Sequence, residues 1–156
     1  MNTEKTLIII KPDAVQRQLV GQIVSRFEQK GMKFAGLKLI HVSKAQAENL
    51  YSVHKGKHFY DSLVEFITAS PVVVCVIDGQ KAISICRNLM GATFGPQAQP
   101  GTIRGDFGAS VSYNLIHGSD SPESANREIP IFFSPSDILN YEIISNRWTY
   151  NPAGEK

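Results

Sequence analysis

The run PVVVCVID, residues 71–78, is apolar at almost every position before its final aspartate. Successive side chains of a β-strand point to opposite faces of the sheet, so a strand that is apolar throughout is buried on both faces. The run therefore predicts a central strand. A second run, TLIIIKPD at residues 6–13, predicts another buried strand, which ends at Pro12.

Helical patterns alternate with these strands. After Pro12, with Asp13 in a capping position, apolar side chains recur every four residues at Val15, Leu19, Ile23 and Phe27. The pattern predicts one helix, which Lys30 and Gly31 terminate. The remaining predicted elements are a strand at 33–42, helices at 44–51, 60–67 and 80–90, and a fourth strand, IPIFF, at 129–133.

Strands alternating with helices indicate an α/β protein built as a two-layer sandwich. The chain has 156 residues, of which 42% are hydrophobic, and this is enough for one compact core. We therefore predict a single domain over residues 1–156.

Composition excludes several classes of protein. The formal net charge is only +2, with 16 Lys and Arg against 14 Asp and Glu, which argues against a nucleic-acid coat or a polybasic membrane anchor. The apolar run in the opening MNTEKTLIII is too short for a signal peptide or a membrane span, so we expect a soluble cytoplasmic protein. Cys75 and Cys86 lie in core-like patterns, and no Cys or His cluster has metal-ligand spacing.

The segment 91–117, GATFGPQAQPGTIRGDFGASVSYNLIH, does not fit the alternation. It is rich in glycine and proline, and its strand-like pattern is weak. Connections of this length without regular structure are uncommon in compact domains unless they build a binding site or are disordered. The segment carries many side chains that form hydrogen bonds, so we interpret it as a functional loop; these are Thr93, Thr102, Arg104, Asp106 and Asn114.

Three cations are candidates for holding phosphate. Lys11 stands between a strand end and a helix start, where free N–H groups favour an anion, although it could equally extend into solvent. Arg87 and Arg104 offer guanidinium forks that match phosphate oxygens. The alternatives are a surface cation for Arg87 and a structural arginine bonded to loop carbonyls for Arg104.

Several aromatic residues flank the basic stretch at 52–59. Tyr51, Phe59 and Tyr60 could stack on a nucleobase, because every base presents a π-face. Helical spacing is more typical of core residues, and we keep that interpretation for Tyr60 and Phe66.

His117 is the central candidate. Its imidazole titrates near neutrality and can act as a nucleophile through one nitrogen while an acceptor fixes the other. Asp120 or Ser121 can cap a following helix, with Pro122 in its first turn, so His117 adjoins an anion-receptive helix start. An inert histidine at a strand end is the open alternative.

Four motifs in this order resemble the nucleoside diphosphate kinase family: TLIIIKPDAVQR, RNLMGAT, PGTIRGDF and NLIHGSDSPESANREI. The resemblance runs from about residue 6 to 133. It implies a ferredoxin-like fold, with a four-stranded antiparallel sheet and helices packed on it. It also implies reversible transfer of the γ-phosphoryl group of a nucleoside triphosphate, mainly ATP, to a nucleoside diphosphate through a phosphohistidine, with ping-pong kinetics.

The resemblance also implies roles for individual residues. His117 would be the nucleophile, with Ser119 and Glu128 orienting its ring. Contacts to the phosphates would come from Lys11, Tyr51, His54, Arg87, Thr93 and Arg104. Asn114 and Lys11 would contact the ribose, while Phe59 and Val111, backed by Leu63, would hold the base.

Mg²⁺ would arrive with the nucleotide, because the sequence offers no carboxylate cage. The family also implies a homotetramer or homohexamer with nucleoside di- and triphosphates as ligands, and neither a membrane nor a specific nucleic acid as partner. Phe94 and Gly95 stand where the family usually has Asn and Pro, in a loop that contributes to subunit contacts. The alternatives are a non-catalytic nucleotide- or nucleic-acid-binding module and an interaction scaffold, with Phe94 at its contact surface.

Overall fold

A computed structural model describes residues 2–154. Its four strands are β1 (Glu4–Ile10), β2 (Lys33–Ile40), β3 (Val72–Gly79) and β4 (Ile116–Gly118). They form one sheet in the order β2-β3-β1-β4, and all neighbouring strands are antiparallel. The predicted four-stranded antiparallel sheet is confirmed. β3 lies between β2 and β1 and is buried at every position, as its apolar sequence predicted.

Eight α-helices accompany the sheet in the described part of the chain. They are α1 (Pro12–Gln16), α2 (Val20–Gln29), α3 (Lys44–Leu50), α4 (Tyr60–Thr68), α5 (Ala82–Met90), α6 (Ile103–Phe107), α7 (Pro122–Phe132) and α8 (Asn146–Thr149). Leu7 and Ile9 of β1 pack with α3, α4 and α7, whereas Ile8 and Ile10 pack with α2 and α5. Helices therefore cover both faces of the sheet, and the period-two alternation of β1 serves two cores.

The fourth strand predicted at 129–133 is wrong, because these residues end α7. Ser121 caps α7 by accepting a hydrogen bond from the Ser124 amide, and Pro122 occupies the first turn. The apolar side chains that face the core follow helical spacing, at Ala125, Ile129 and Phe132. The true fourth strand is the three-residue β4, which the sequence pattern did not indicate because three residues carry no measurable period.

The predicted helix after Pro12 is divided in two. Gln18 has a φ of 58°, a left-handed conformation that an α-helix cannot contain, and it separates α1 from α2. Leu19 and Ile23 still pack in the same core, so the apolar period was correct although the helix is interrupted. Lys30 and Gly31 end α2 as expected, with Gly31 at a φ of 84°.

Segment 91–117 contains more regular structure than predicted. A short 3₁₀ turn at Gly95–Gln97 is followed by α6, which Thr102 caps through its side chain. A side chain at Gly95 would lie 2.3 Å from the carbonyl oxygen of Gly108, so this close approach requires glycine. The loop folds back on itself at this point.

The segment after α7 lies alongside the edge strand β2, where the Leu139 amide donates to the carbonyl of Ala35 at 2.7 Å.

Within residues 2–154, no helix has the length and apolar character needed to cross a membrane.

Candidate active site

His117 is the middle residue of β4 and pairs with Ile9 of β1. Its Nε2 lies 2.9 Å from Oε2 of Glu128 on α7, and its side chain remains 22% exposed. Nδ1 makes no hydrogen bond within the described residues. The ring is therefore held through Nε2, while part of the side chain stays exposed.

Glu128 is almost completely buried and receives several donors. Its Oε2 also accepts from the Ser119 hydroxyl at 2.7 Å, and Oε1 lies 3.4 Å from Nη2 of Arg127. Burial raises the pKa of Glu128, but hydrogen bonds from His117 and Ser119 outweigh it, so the net pKa is lowered. An ionised carboxylate can only accept hydrogen bonds, so in the matching tautomer Nε2–H donates to Glu128 and Nδ1 carries the lone pair.

The backbone around His117 is constrained at two positions. Leu115 has a φ of 73°, and its amide donates to Asp13 Oδ2 at 3.1 Å while its carbonyl accepts from the Lys11 amide. The predicted capping role of Asp13 is therefore wrong: α1 has no side-chain cap, and the carboxylate fixes a left-handed leucine instead. A side chain at Gly118 would meet Met90 Sδ at 2.6 Å.

Lys11 is buried directly after β1, whose last residue, Ile10, pairs with Ile116 next to His117. Its Nζ donates to Asn114 Oδ1 at 2.8 Å, and Asn114 Nδ2 donates to the Thr93 carbonyl at 2.9 Å. Burial, followed by the nearby charge of Arg104, lowers the pKa of Lys11 to about 8. The solvent-exposed alternative for Lys11 is thus excluded, and Thr93 contributes its backbone to this chain of bonds.

Arg104 also is buried, at the start of α6. It donates to three carbonyls, those of Asn114 at 3.1 Å, Gly91 at 3.1 Å and Ile116 at 2.6 Å. The sequence left open a structural role for Arg104, as an arginine bonded to loop carbonyls, and these three hydrogen bonds are of that kind. Burial and then the charge of Arg87 lower the pKa of Arg104 to about 10.

Arg87 is half-buried on α5 and donates from Nη1 to the Gly118 carbonyl at 3.3 Å. It therefore contacts the backbone of the residue next to His117. Arg104 lowers the pKa of Lys11, and Arg87 lowers that of Arg104, so Arg104 lies close enough to repel each of the other two cations. A phosphate group entering between them would relieve that repulsion.

The helical hairpin formed by α3 and α4 carries the next group of predicted residues. Tyr51 follows α3 and is buried in the core; burial and then the charge of Glu128 raise the pKa of its hydroxyl. His54 is half-buried, and its pKa is lowered by burial and then by the charge of Lys57. The hairpin therefore faces the imidazole.

The predicted base contacts are less enclosed. Phe59 precedes α4 and meets the ring of His54 edge-on at 5.4 Å between centroids. Leu63, one turn later, packs against the core. Val111, in segment 91–117, is 55% exposed.

Sequence reasoning missed several connecting residues. Arg127 donates to the carbonyls of Asn49 at 3.2 Å and Leu50 at 3.4 Å, which links the end of α3 to the neighbouring Glu128. Phe66 of α4 stacks on Tyr113 of the loop. Adjacency to Glu128 was the one signal available for Arg127, whereas no local pattern pairs residues as distant as 66 and 113.

A second missed contact anchors the loop to α2. Arg26 forms an ion pair with Asp106 and donates to the Gly101 carbonyl, and its guanidinium lies 5.0 Å from the centre of the Phe107 ring. This fixes α6, the helix that carries Arg104.

Comparison with known proteins gives a consistent result. A family model described as nucleoside diphosphate kinase matches residues 4–138. The nucleoside diphosphate kinase of Halalkalibacterium halodurans is 54% identical over 145 residues, which cover 93% of this chain and 99% of that protein. That of Staphylothermus marinus is 50% identical over 141 residues, or 90% of this chain and 100% of the relative.

Solved structures agree. The nucleoside diphosphate kinase of Halobacterium salinarum, in complex with CDP, matches with a TM-score of 0.94 at 42% identity, covering 96% of this chain and 100% of that chain. A family member from Babesia bovis matches with a TM-score of 0.91 at 41% identity, covering 94% and 99%.

The matched fold and the family model define the class of this protein as a phosphotransferase. The chain belongs to the nucleoside diphosphate kinase family. It is a nucleotide-binding kinase that transfers the terminal phosphoryl group of a nucleoside triphosphate to a nucleoside diphosphate, as the sequence resemblance indicated.

Proposed function

We propose that His117 carries the phosphoryl group in this reaction. Nδ1 attacks the γ-phosphorus of the triphosphate, the bond to the bridging oxygen breaks, and a nucleoside diphosphate leaves. The phosphohistidine then transfers the same group to a second nucleoside diphosphate, which restores the neutral ring. The observation that carries this proposal is the Nε2–Glu128 bond, because it leaves the Nδ1 lone pair free.

Glu128 and Ser119 hold the ring for this step. As Nδ1 acquires the phosphoryl group, positive charge develops on the imidazole, and the adjacent ionised carboxylate stabilises it. Ser119 fixes the carboxylate by donating to the same oxygen. These residues contribute positioning and electrostatics, which are the main protein contributions to phosphoryl transfer.

We assign the triphosphate to a phosphate end of the site, formed by Lys11, Arg87, Arg104, Asn114 and His117. Its mutually repelling cations support this assignment, because phosphate supplies the missing negative charge. Arg104 and Arg87 are held by carbonyls and are thereby preorganised. From the neighbouring hairpin and loop, Tyr51, His54 and Thr93 complete the contacts to phosphate, and Asn114 with Lys11 contacts the ribose.

We assign the nucleobase to a base end, formed by Phe59, Leu63 and Val111. These side chains offer flat or apolar surfaces and no hydrogen-bonding groups to read the edge of a base. Such contact tolerates different bases, as exchange between unlike nucleotides requires.

Mg²⁺ is proposed to arrive with the nucleotide, and it would supply positive charge that offsets the charge of the phosphates. The chemistry of the site supports this arrangement. The phosphate end consists of ammonium, guanidinium, amide and imidazole groups, which suit phosphate rather than a bare cation, and residues 2–154 contain no cluster of three metal-ligating side chains.

We also propose that the protein assembles from identical subunits, as a tetramer or a hexamer. β2 is an edge strand that exposes Leu37 and Leu39. Leu139, on the segment after α7 that lies alongside β2, is also exposed. Exposed leucines at a sheet edge favour burial against another protein surface. Light scattering on the wild type and on Leu39→Lys tests this: a wild-type monomer, or a variant of unchanged mass, would contradict it.

The whole chain is proposed as one domain in the cytoplasm; Met1 and residues 155–156 lie outside the described residues. Two buried, unpaired cysteines, Cys75 and Cys86, are consistent with a reducing compartment. Neither a membrane nor a specific nucleic acid is proposed as a partner.

Incubation with γ-labelled ATP and Mg²⁺ tests the catalytic assignment. We expect an acid-labile, alkali-stable label on the protein that GDP removes as GTP. Peptide mapping should locate it at His117. A label elsewhere would overturn the assignment of the nucleophile, and turnover without any phosphoenzyme would favour direct transfer between nucleotides.

A further inference from the structure

The two residues assigned to the base stand on different parts of the chain. Phe59 directly precedes α4 of the hairpin, whereas Val111 belongs to the exposed segment 109–113. A gap that admits a base therefore depends on how α4 and this segment are held relative to one another.

The hairpin side is firmly placed. Val64 and Ile67 of α4 are buried in the core with residues of β1 and β3. The loop side has weaker support, because the side-chain hydrogen bonds of segment 109–113 are local. Ser110 Oγ accepts from the amides of Ser112 and Tyr113, which shapes a turn but does not attach it to α4.

One contact spans the two sides. The rings of Phe66 and Tyr113 lie 4.6 Å apart between centroids, with only 7° between their planes. This is a favourable stacked geometry. Phe66 lies about two helical turns beyond Phe59, roughly 10 Å along the axis, and Tyr113 lies two residues beyond Val111. The stack therefore joins the carriers of both base contacts.

We propose that the Phe66–Tyr113 stack is a positioning element that sets the separation between Phe59 and Val111 and thereby the affinity for the nucleobase. It touches neither the reacting atoms nor the phosphates in this assignment. The proposal rests on the proposed placement of the base between Phe59 and Val111.

The stack gives a testable separation of base binding from chemistry. Tyr113→Ala and Phe66→Ala should each raise KM for ATP by about 2-fold to 10-fold, the range of a lost aromatic pair. Phosphoramidate is a phosphoryl donor without base or ribose, and the rate at which it phosphorylates His117 should stay unchanged in both variants. The double variant should raise KM for ATP no further than the single variant with the larger effect, because both changes remove the same contact.

Tyr113→Phe is the matched control. It keeps the ring and removes only the hydroxyl, so it should restore the wild-type KM. Because Tyr113 is 57% exposed, its truncation should leave the fold intact, which thermal unfolding checks. An unchanged KM in both alanine variants would overturn the proposal. So would a parallel fall in the phosphoramidate rate, since the stack would then support Asn114 and the phosphate end.

Phe59→Ala separates this proposal from the one beneath it. If Phe59→Ala raises KM for ATP while Tyr113→Ala does not, the base is correctly placed and only the role of the stack is wrong. If Phe59→Ala and Val111→Ala change neither KM nor the phosphoramidate rate, the base lies elsewhere and the stack proposal falls with its premise.

Discussion

The proposed phosphate end and the proposed base end of the site are built differently. Lys11 and Arg104 are 6% and 3% exposed and are bonded to neighbouring backbone or amide groups, whereas Val111 is 55% exposed. Arg104 alone fixes three carbonyls around the strand that carries His117. The contrast shows a rigid, charged end beside an open, apolar one.

The difference follows from what each end must do. Phosphoryl transfer needs charges placed before the reaction begins, because reorganising them during the reaction would raise the barrier. A base held through its faces needs only a gap of suitable width, so few fixed contacts suffice. We therefore expect changes at the phosphate end to reduce the rate of chemistry and changes at the base end to reduce affinity.

The largest effect is expected for His117→Ala, which removes the nucleophile. No phosphoenzyme should form with labelled ATP, while nucleotide binding measured by calorimetry should persist because the cations remain. His41→Ala, an exposed histidine after β2, is the matched control and should label normally. A His117→Ala protein that still labels would break the assignment of chemistry to this end.

Glu128→Gln should have the next largest effect. Loss of the charge leaves the imidazole less well oriented and less stabilised, so the rate of phosphoenzyme formation should fall on the order of 10²-fold with little change in KM. Rapid-quench measurements at saturating ATP give this rate. Glu123→Gln, in the exposed first turn of the same helix, controls for helix chemistry. An equal rise in KM would show that the two ends are not separable.

The pH dependence of kcat/KM tests the buried charge of Lys11. Burial lowers the pKa of this amine to about 8, so kcat/KM should fall by up to about 10-fold per pH unit above pH 8 as the charge is lost. Below pH 8 the Lys11 amine is charged in both the folded and the unfolded chain, and burying that charge lowers the free energy of unfolding. Between about pH 8 and 10.5 the amine is neutral in the folded chain but still charged in the unfolded chain, so the free energy of unfolding rises with pH.

Lys11→Arg provides the comparison for this profile. A guanidinium keeps its charge across this range, so the variant should be less active at pH 7 but should lose the alkaline fall. A profile in the variant identical to that of the wild type would show that the fall above pH 8 comes from a group other than Lys11.

Phe59→Ala should give a smaller effect, and one of a different kind. Removing the ring should raise KM for ATP by about 5-fold to 10-fold, at the low end of the range for base stacking because Phe59 is only half-buried. Val111→Ala should raise it about 2-fold to 4-fold, since the two methyl groups that are lost are about half exposed. Steady-state kinetics with ATP and CTP measure both. A fall in the rate at saturation would contradict the division between the two ends.

The sequence was sufficient for much of the fold. β1 and β3 were predicted because continuous apolar runs indicate strands that are buried on both faces. α3, α4 and α5 were predicted because their apolar residues follow helical spacing and residues that end helices flank them. IPIFF was misassigned as a strand because five apolar residues fit either structure. Its helical state depends on Ser121, eight residues earlier, which starts α7, and on the core that receives Ile129 and Phe132.

For the site, local sequence supplied the residue types but not their partners. His117, Lys11 and Arg104 were identified as chemically capable, and family resemblance supplied the activity, which the comparisons confirm. Only the tertiary structure decided that Glu128 reaches Nε2, that Asp13 holds Leu115, and that Phe66 meets Tyr113. The physical reason is range: periodicity and capping act over a few residues, whereas these contacts join segments that meet only after the sheet has formed.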